Sequence, residues 1–182
     1  MPPVLQTPRI TLKPLEHAHA EAILKLRSHP EVMKYMDSEW CSNLADAEMF
    51  ICRQNEANKE NDGAIWGIFL KDSSKLIGHA GFWKIDKRHF RGEIGYALHP
   101  DYWRGGIMGE VLQCIARFGF NELSLHSIEA NVNTKNEASS GLLIKLGFKL
   151  EAHFCENFYY EGVFHDSLIY SLLKKNLVCN LT

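Results

Sequence analysis

The passage Glu93-Ile94-Gly95-Tyr96-Ala97-Leu98-His99-Pro100-Asp101-Tyr102-Trp103-Arg104-Gly105-Gly106-Ile107-Met108-Gly109 carries the strongest chemical signal in the sequence. A strand-like run ends at His99-Pro100, a Gly-containing turn follows, and Ile107, Val111, Leu112, Ile115 and Phe118 then recur at helical spacing. A helix that opens on glycines presents backbone N–H groups unshielded by side chains, and such a nest binds phosphate; Arg104 adds positive charge. The turn points to a pyrophosphate-bearing ligand. The plainer reading is a tight turn punctuated by Gly, and the turn alone does not exclude it. The Lys-Ser/Thr pair of a P-loop is missing, and Gly105-Gly106…Gly109 is not G-x-G-x-x-G, which counts against a nucleotide-binding α/β protein.

A second pattern lies further on, Asn136-x-x-Ser139-x-x-Leu142-x-x-Lys145-x-Gly147-Phe148. Read by residue type alone, Asn136 caps a helix and Ser139 faces solvent. The two patterns together resemble the GNAT superfamily of N-acetyltransferases, whose cofactor turn has the form Q/R-x-x-G-x-G/A before a helix. Trp103-x-x-Gly106-x-Met108 is similar to the version in the ribosomal-protein N-terminal acetyltransferase branch, where Trp often opens the turn and N-x-x-S…GF follows; Met108 stands where the family has Gly or Ala. Leu150-Glu151…Gly162…Asp166-Ser167-Leu168-Ile169-Tyr170-Ser171-Leu172-Leu173 resembles the family's closing hairpin, and RITLKPL near residue 10 its opening strand, so the likeness spans nearly the whole chain.

The resemblance implies acetyl-CoA as co-substrate and a primary amine as acceptor, either a protein N-terminus or a small molecule. Trp103, Arg104, Gly105, Gly106, Ile107, Met108 and Gly109 would hold the cofactor phosphates, Asn136 the pantetheine arm, and Ser139 would sit near the sulfur. The backbone N–H of Ala97 or Leu98 would hold the oxyanion. Glu93 stands where several members carry a catalytic carboxylate, and strand alternation puts it on one face with Gly95 and Ala97. Glu156, where the family often has an Arg-Glu pair, is the other candidate base; Cys155 replaces the Arg. A rim Glu paired with Lys or Arg is the competing reading of Glu93. A non-catalytic acyl-CoA sensor is the alternative to an enzyme.

Acetyl transfer from a thioester needs a neutral amine, a polarised carbonyl and a proton for the departing thiolate. Ser139 is the favoured acid; Tyr96 or Tyr170 would also serve, since a phenol has a pKa of about 10. Cys155 is read as structural, because direct transfer needs no covalent intermediate. Trp40, Trp83, Phe82, Phe154, Phe158, Tyr159 and Tyr160 are candidates for an acceptor groove, and Asp37, Glu39 and Glu48 would attract a cationic amine, although most aromatics in such a chain are core.

These residues need a scaffold. Arg9–Leu15 alternates as a strand, and Glu16–Ser28 switches to helical spacing until His29-Pro30 breaks it. A helical turn over Glu31–Met36 and a helix over Asn43–Asn58 follow. Ala64–Lys71, Leu76–Ile85 and Gly92–His99 read as an antiparallel meander. A helix over Gly106–Leu123, a strand over Ser127–Val132, a helix over Asn136–Leu146 and two strands, Phe148–Phe158 and Val163–Leu173, complete the pattern. The expected fold is α/β (α+β), one N-acetyltransferase domain over 1–182 with a mixed, mainly antiparallel central sheet flanked by helices.

The 182 residues are 46% apolar and 23% charged, ordinary for one globular domain. A formal charge of −2 supplies no field for nucleic acid. No apolar run of about 18 residues exists, so no membrane span is expected, and the Pro-containing amino terminus does not read as a signal peptide, so a cytoplasmic protein is expected. Cys41, Cys52, Cys114, Cys155 and Cys179 have no C-x-x-C pair and read as free thiols, and the His residues are scattered, so no metal is expected. Either a monomer or a homodimer is compatible with the sequence.

Overall fold

The computed structural model describes residues 1–36, 38–71, 73 and 75–177. Its strands are β1 (Leu5–Gln6), β2 (Ile10–Lys13), β3 (Ala64–Leu70), β4 (Leu76–Asp86), β5 (Arg91–Leu98), β6 (Ser127–Asn133), β7 (Lys149–Tyr160) and β8 (Val163–Leu173). They form one sheet in the order β1-β2-β3-β4-β5-β6-β8-β7. Every pairing is antiparallel except β5 with β6. The helices are α1 (Ala20–Arg27), α2 (Pro30–Met33), α3 (Leu44–Glu60), α4 (Ile107–Asn121) and α5 (Glu137–Lys145). This is the α/β architecture expected from the sequence.

Two cores lie on the two faces of the sheet. Trp66 and Ile68 of β3, Phe82 of β4, Ile94 and Leu98 of β5 and Ile128 of β6 pack with Val111, Leu112 and Ile115 of α4 and Leu143 of α5. On the other face Phe69 and Leu76 pack with Ile23 of α1 and Ala47 and Ile51 of α3. β3 is buried along almost its whole length, as a central strand covered on both faces must be.

Local chemistry sets the helix ends. Asn43 and Asp46 form a reciprocal capping box at the start of α3, and Asn61 closes it in the left-handed region at φ 57. Pro30 does not simply break a helix: as the first residue of α2 it begins one, since its missing N–H is an orphan there anyway. The helix expected from Glu16 begins only at Ala20, after a 3-10 turn over His17–His19 that Glu16 caps. The two-residue strand β1 carries too little pattern to be read from sequence.

Candidate active site

The parallel ladder between β5 and β6 is short. Arg91 pairs with Ser127, Gly92 with Ile128 and Glu93 with Glu129, and there the pairing stops. Beyond Glu93, β5 follows β4 as far as Leu98, while β6 follows β8 as far as Asn133. The sheet therefore opens into a wedge, and a cleft of about 790 Å³ passes through it, walled by Glu93, Ile94, Gly95 and Tyr96 on one side and Ala130, Asn131, Val132 and Asn133 on the other.

The wedge leaves strand backbone without a strand partner. His99 donates its amide to Ile77 O at 2.8 Å, on the β4 side, and Leu98 O accepts from Trp103 Nε1 at 2.7 Å, on the opposite side. Backbone groups alternate between the two edges of a strand, so Ala97 turns its amide towards β4 while Tyr96 and Leu98 turn theirs towards the opening. Of the two amides named from the sequence, that of Leu98 lies on the strand edge turned away from β4.

Side chains alternate as well. Tyr96 lies on the α4/α5 face, and its hydroxyl is 2.7 Å from Ser139 Oγ. Burial pushes the Tyr96 phenol up to about 12, with the Ser139 hydrogen bond pulling the other way. It is a neutral hydroxyl at any physiological pH. Ser139 is positioned by Asn136, the N-cap of α5, whose Oδ1 accepts the Ser139 amide at 3.1 Å. Capping and site geometry are thus one arrangement.

Glu93, Gly95 and Ala97 lie on the other face, where Ala97 packs against Leu26 and Val32. Glu93 is half-buried, lines the cleft and makes no ion pair among the described residues; the nearby Arg91 is taken by Glu129. A Cβ on Gly95 would lie 1.5 Å from Trp83 Nε1, so the absent side chain is what lets the Trp83 indole lie on the strand. Trp83 meets Phe50 and His79 edge-on at 6.2 and 5.7 Å between ring centroids. His79 is fully buried, both ring nitrogens lack a hydrogen-bond partner among the described residues, and burial, with a smaller contribution from Arg27, pushes its pKa down to about 3. It is therefore neutral. Arg27, also buried, stacks on Phe50 at 4.4 Å and donates to Ser38 Oγ and Glu39 O, fixing the loop after α2 over the cleft.

The Gly-containing turn closes the far end of β5. Arg104 and Gly106 both occupy the left-handed region, at φ 59 and φ 75, and Gly106 is the N-cap of α4. Gly105 and Gly106 are exposed at the amino end of α4, whose first amides have no partner within the helix. Arg9 grips this turn, donating to Gly105 O at 2.8 Å while pairing with Glu110 of α4 at 2.7 Å. Met108 points away from the turn into the sheet core, beside Val111 and Leu112, so the side chain in the family's Gly/Ala position does not crowd the exposed amides. Ile107 packs partly on the same core, and Gly109 is buried.

The structure brings Glu93, Ser139, Asn136 and Tyr96 to one cleft and keeps other candidates apart. Glu156 sits on an irregular stretch of β7 at φ 48, exposed and off the cleft wall. Tyr170 is packed in the core. Of the aromatics, Trp40, Trp83 and Phe158 line the cleft, Phe82 is wholly buried, and Phe154 and Tyr159 are exposed elsewhere. Tyr160 reaches across to donate its hydroxyl to Ser38 O at 3.0 Å. Glu39 lines the cleft and Glu48 does not; Asp37 and Cys179 lie outside the described residues. Cys41, Cys52, Cys114 and Cys155 are free thiols. Arg9, Arg27 and His79 were not singled out from the sequence, because nothing in their neighbours along the chain announces their long-range partners.

Residues 9–149 match the acetyltransferase (GNAT) domain family. An uncharacterized N-acetyltransferase of Bacillus subtilis, YoaA, is 37% identical over 172 residues, covering 94% of this chain and 97% of that one. This chain belongs to the GNAT acetyltransferase family. It is accordingly an acyltransferase. The crystal structure of a GNAT-family acetyltransferase from Bacillus anthracis superposes with a TM-score of 0.85 at 25% identity, covering 95% and 99% of the two chains. RimL, a ribosomal L7/L12 α-N-protein acetyltransferase solved in complex with coenzyme A, shares the GNAT fold with a TM-score of 0.84 at 17% identity over 94% and 98% of the chains. No helix among the described residues is long and apolar enough to cross a membrane.

Proposed function

We propose that residues 1–182 form a single N-acetyltransferase domain that binds acetyl-CoA and transfers its acetyl group directly to a primary amine. The observation that carries this reading is the wedge between β5 and β6, which joins a Ser139–Tyr96 hydroxyl pair on one face of the sheet to Glu93 on the other. The exposed turn at Gly105 and Gly106, with the amino-terminal amides of α4 through Gly109, holds the cofactor pyrophosphate, supported by Arg104, with Trp103 tying the turn to the end of β5. The pantetheine arm enters the wedge along β5 and past Asn136, and the Leu98 amide receives the thioester oxygen.

The amine approaches from the Glu93 face. Its nitrogen attacks the thioester carbon as Glu93, directly or through water, takes its proton. The C–S bond then breaks, and the thiolate takes a proton from Ser139, which recovers one from Tyr96 and that in turn from solvent, while Glu93 releases the amine's proton to solvent. Thiolate and carboxylate thus act on opposite faces. The acceptor half of the cleft, with Trp40, Trp83 and Phe158 beside Glu39 and Asp46, suits the α-amine of a peptide whose first side chains are apolar; RimL, which shares the fold, is an α-N-protein acetyltransferase.

Isothermal titration with acetyl-CoA, followed by thiol release with a panel of peptides, polyamines and other small amines, tests the reading. Micromolar binding and release with peptides are expected. Binding weaker than about 1 mM, the upper end for enzyme substrates, removes the cofactor assignment, and release with small amines alone removes the peptide acceptor.

A further inference from the structure

Spaced out along the chain, the histidines and cysteines show no metal-ligand pattern, but the β7–β8 pairing collects three donors of different chemistry. His153 Nε2 lies 2.7 Å from Asp166 Oδ2, and Cys155 Sγ completes a group whose ligand atoms all lie within 4.8 Å of one another. An irregularity in the hairpin makes the cluster. Phe154 pairs with Ser167 and Phe158 with His165, so Cys155, Glu156 and Asn157 together stand opposite Asp166. At the crest Glu156 takes φ 48, a left-handed conformation uncommon for a residue with a Cβ, and donates its amide to Asp166 Oδ1 at 2.8 Å. The bulge thereby fixes one carboxylate oxygen and leaves the other turned to His153.

We propose that His153, Cys155 and Asp166 form a zinc-binding site, with water in the fourth position. The donor set selects the metal. Calcium and magnesium take oxygen ligands, whereas imidazole nitrogen, thiolate and carboxylate on one centre is a set that suits zinc. The charges also close, because a dication with one thiolate and one carboxylate is neutral. Binding displaces the Cys155 thiol proton and takes the Nε2 lone pair of His153, whose proton resides on Nδ1 in the bound form. Tetrahedral zinc at ordinary bond lengths sets its donors about 3.4–3.6 Å apart. The His153–Asp166 contact must therefore open slightly, and both His153 and Cys155 are exposed.

The position gives the site a consequence. Phe158, three residues beyond Cys155, lines the cleft, and Tyr160 donates across to Ser38 O. Zinc would lock the bulge that precedes this wall. It lies off the cleft and takes no part in the thioester chemistry, so the assignment stands apart from the proposed acetyl transfer.

Cobalt(II) titration of the full chain, stripped of metal by a chelator, tests it. One equivalent is expected to give a thiolate-to-cobalt charge-transfer band with tetrahedral ligand-field bands, both abolished by added zinc. Cys155→Ser is expected to remove the charge-transfer band, Asp166→Asn to weaken binding at least tenfold, and Cys52→Ser to change nothing. A second measurement needs no variant: zinc should slow alkylation of Cys155 by iodoacetamide, read by peptide mass spectrometry on the native protein. Absence of the band, its survival in Cys155→Ser, or equal alkylation of Cys155 with and without zinc would overturn the site.

Discussion

The carboxylate of Glu93 and the hydroxyl pair Tyr96–Ser139 reach one cleft from opposite faces of one strand. If Glu93 is the base, Glu93→Gln should lower kcat by about 10²–10⁴-fold while leaving the acetyl-CoA affinity unchanged by titration. Glu156→Gln, off the cleft wall, should leave both within twofold. In sequence Glu93 is the first choice and Glu156 the weaker one, because Cys155 replaces the Arg beside it, yet each stands on a strand near a family position. What separates them is the bulge over 155–157, which no composition or period announces. Likewise the Tyr96–Ser139 contact joins residues 43 apart, so each could be proposed singly but not as a pair. His79 offers a pH test. Its pKa falls from 6.5 to about 3 on burial, so the unfolded chain takes up the proton first and stability rises with pH across that window. Between pH 6.5 and 3 this group should cost up to about 1.4 kcal/mol per pH unit on acidification. His79→Phe should flatten that part of the denaturation-against-pH curve, and an unchanged slope would contradict the buried neutral ring.

Strands and helices were legible as elements because their apolar periods differ, and the meander β3-β4-β5 could even be ordered, since short polar turns force neighbours to pair. The wedge was not legible. It depends on β6 pairing parallel with β5 and then leaving it for β8, a relation between distant segments. Two glycines show how element-level packing shapes the site. Gly95→Ala would place a Cβ against the Trp83 indole and expel it from the cleft wall, costing about 1–3 kcal/mol and weakening acceptor binding. Gly141→Ala meets nothing within 4 Å on α5, so it should stabilise by about 0.4–1 kcal/mol. Chemical denaturation of the two variants should give opposite signs.

At the scale of the molecule, the sheet consists of two antiparallel halves, β1 to β5 and β6 to β8, joined by three parallel residue pairs. A pantetheine arm lying in the wedge, as proposed, would bridge them, so acetyl-CoA should stabilise the whole fold. At a hundredfold excess over Kd the gain is about 2.7 kcal/mol, or roughly 5–11 °C in Tm for a chain of this size; differential scanning calorimetry that shows no shift at saturating acetyl-CoA would contradict binding across the join.

The strand order carries one more consequence, for how the protein comes into being. β8 lies between β6 and β7 although it is the last strand in sequence. As the chain leaves the ribosome, β6 has only its brief join to β5 until residues 163–173 emerge to pair with it. One wall of the cleft therefore waits on a strand synthesised about 30 residues after β6, and an arrested nascent chain ending before β8 should have a folded β1–β5 half and no cofactor cleft.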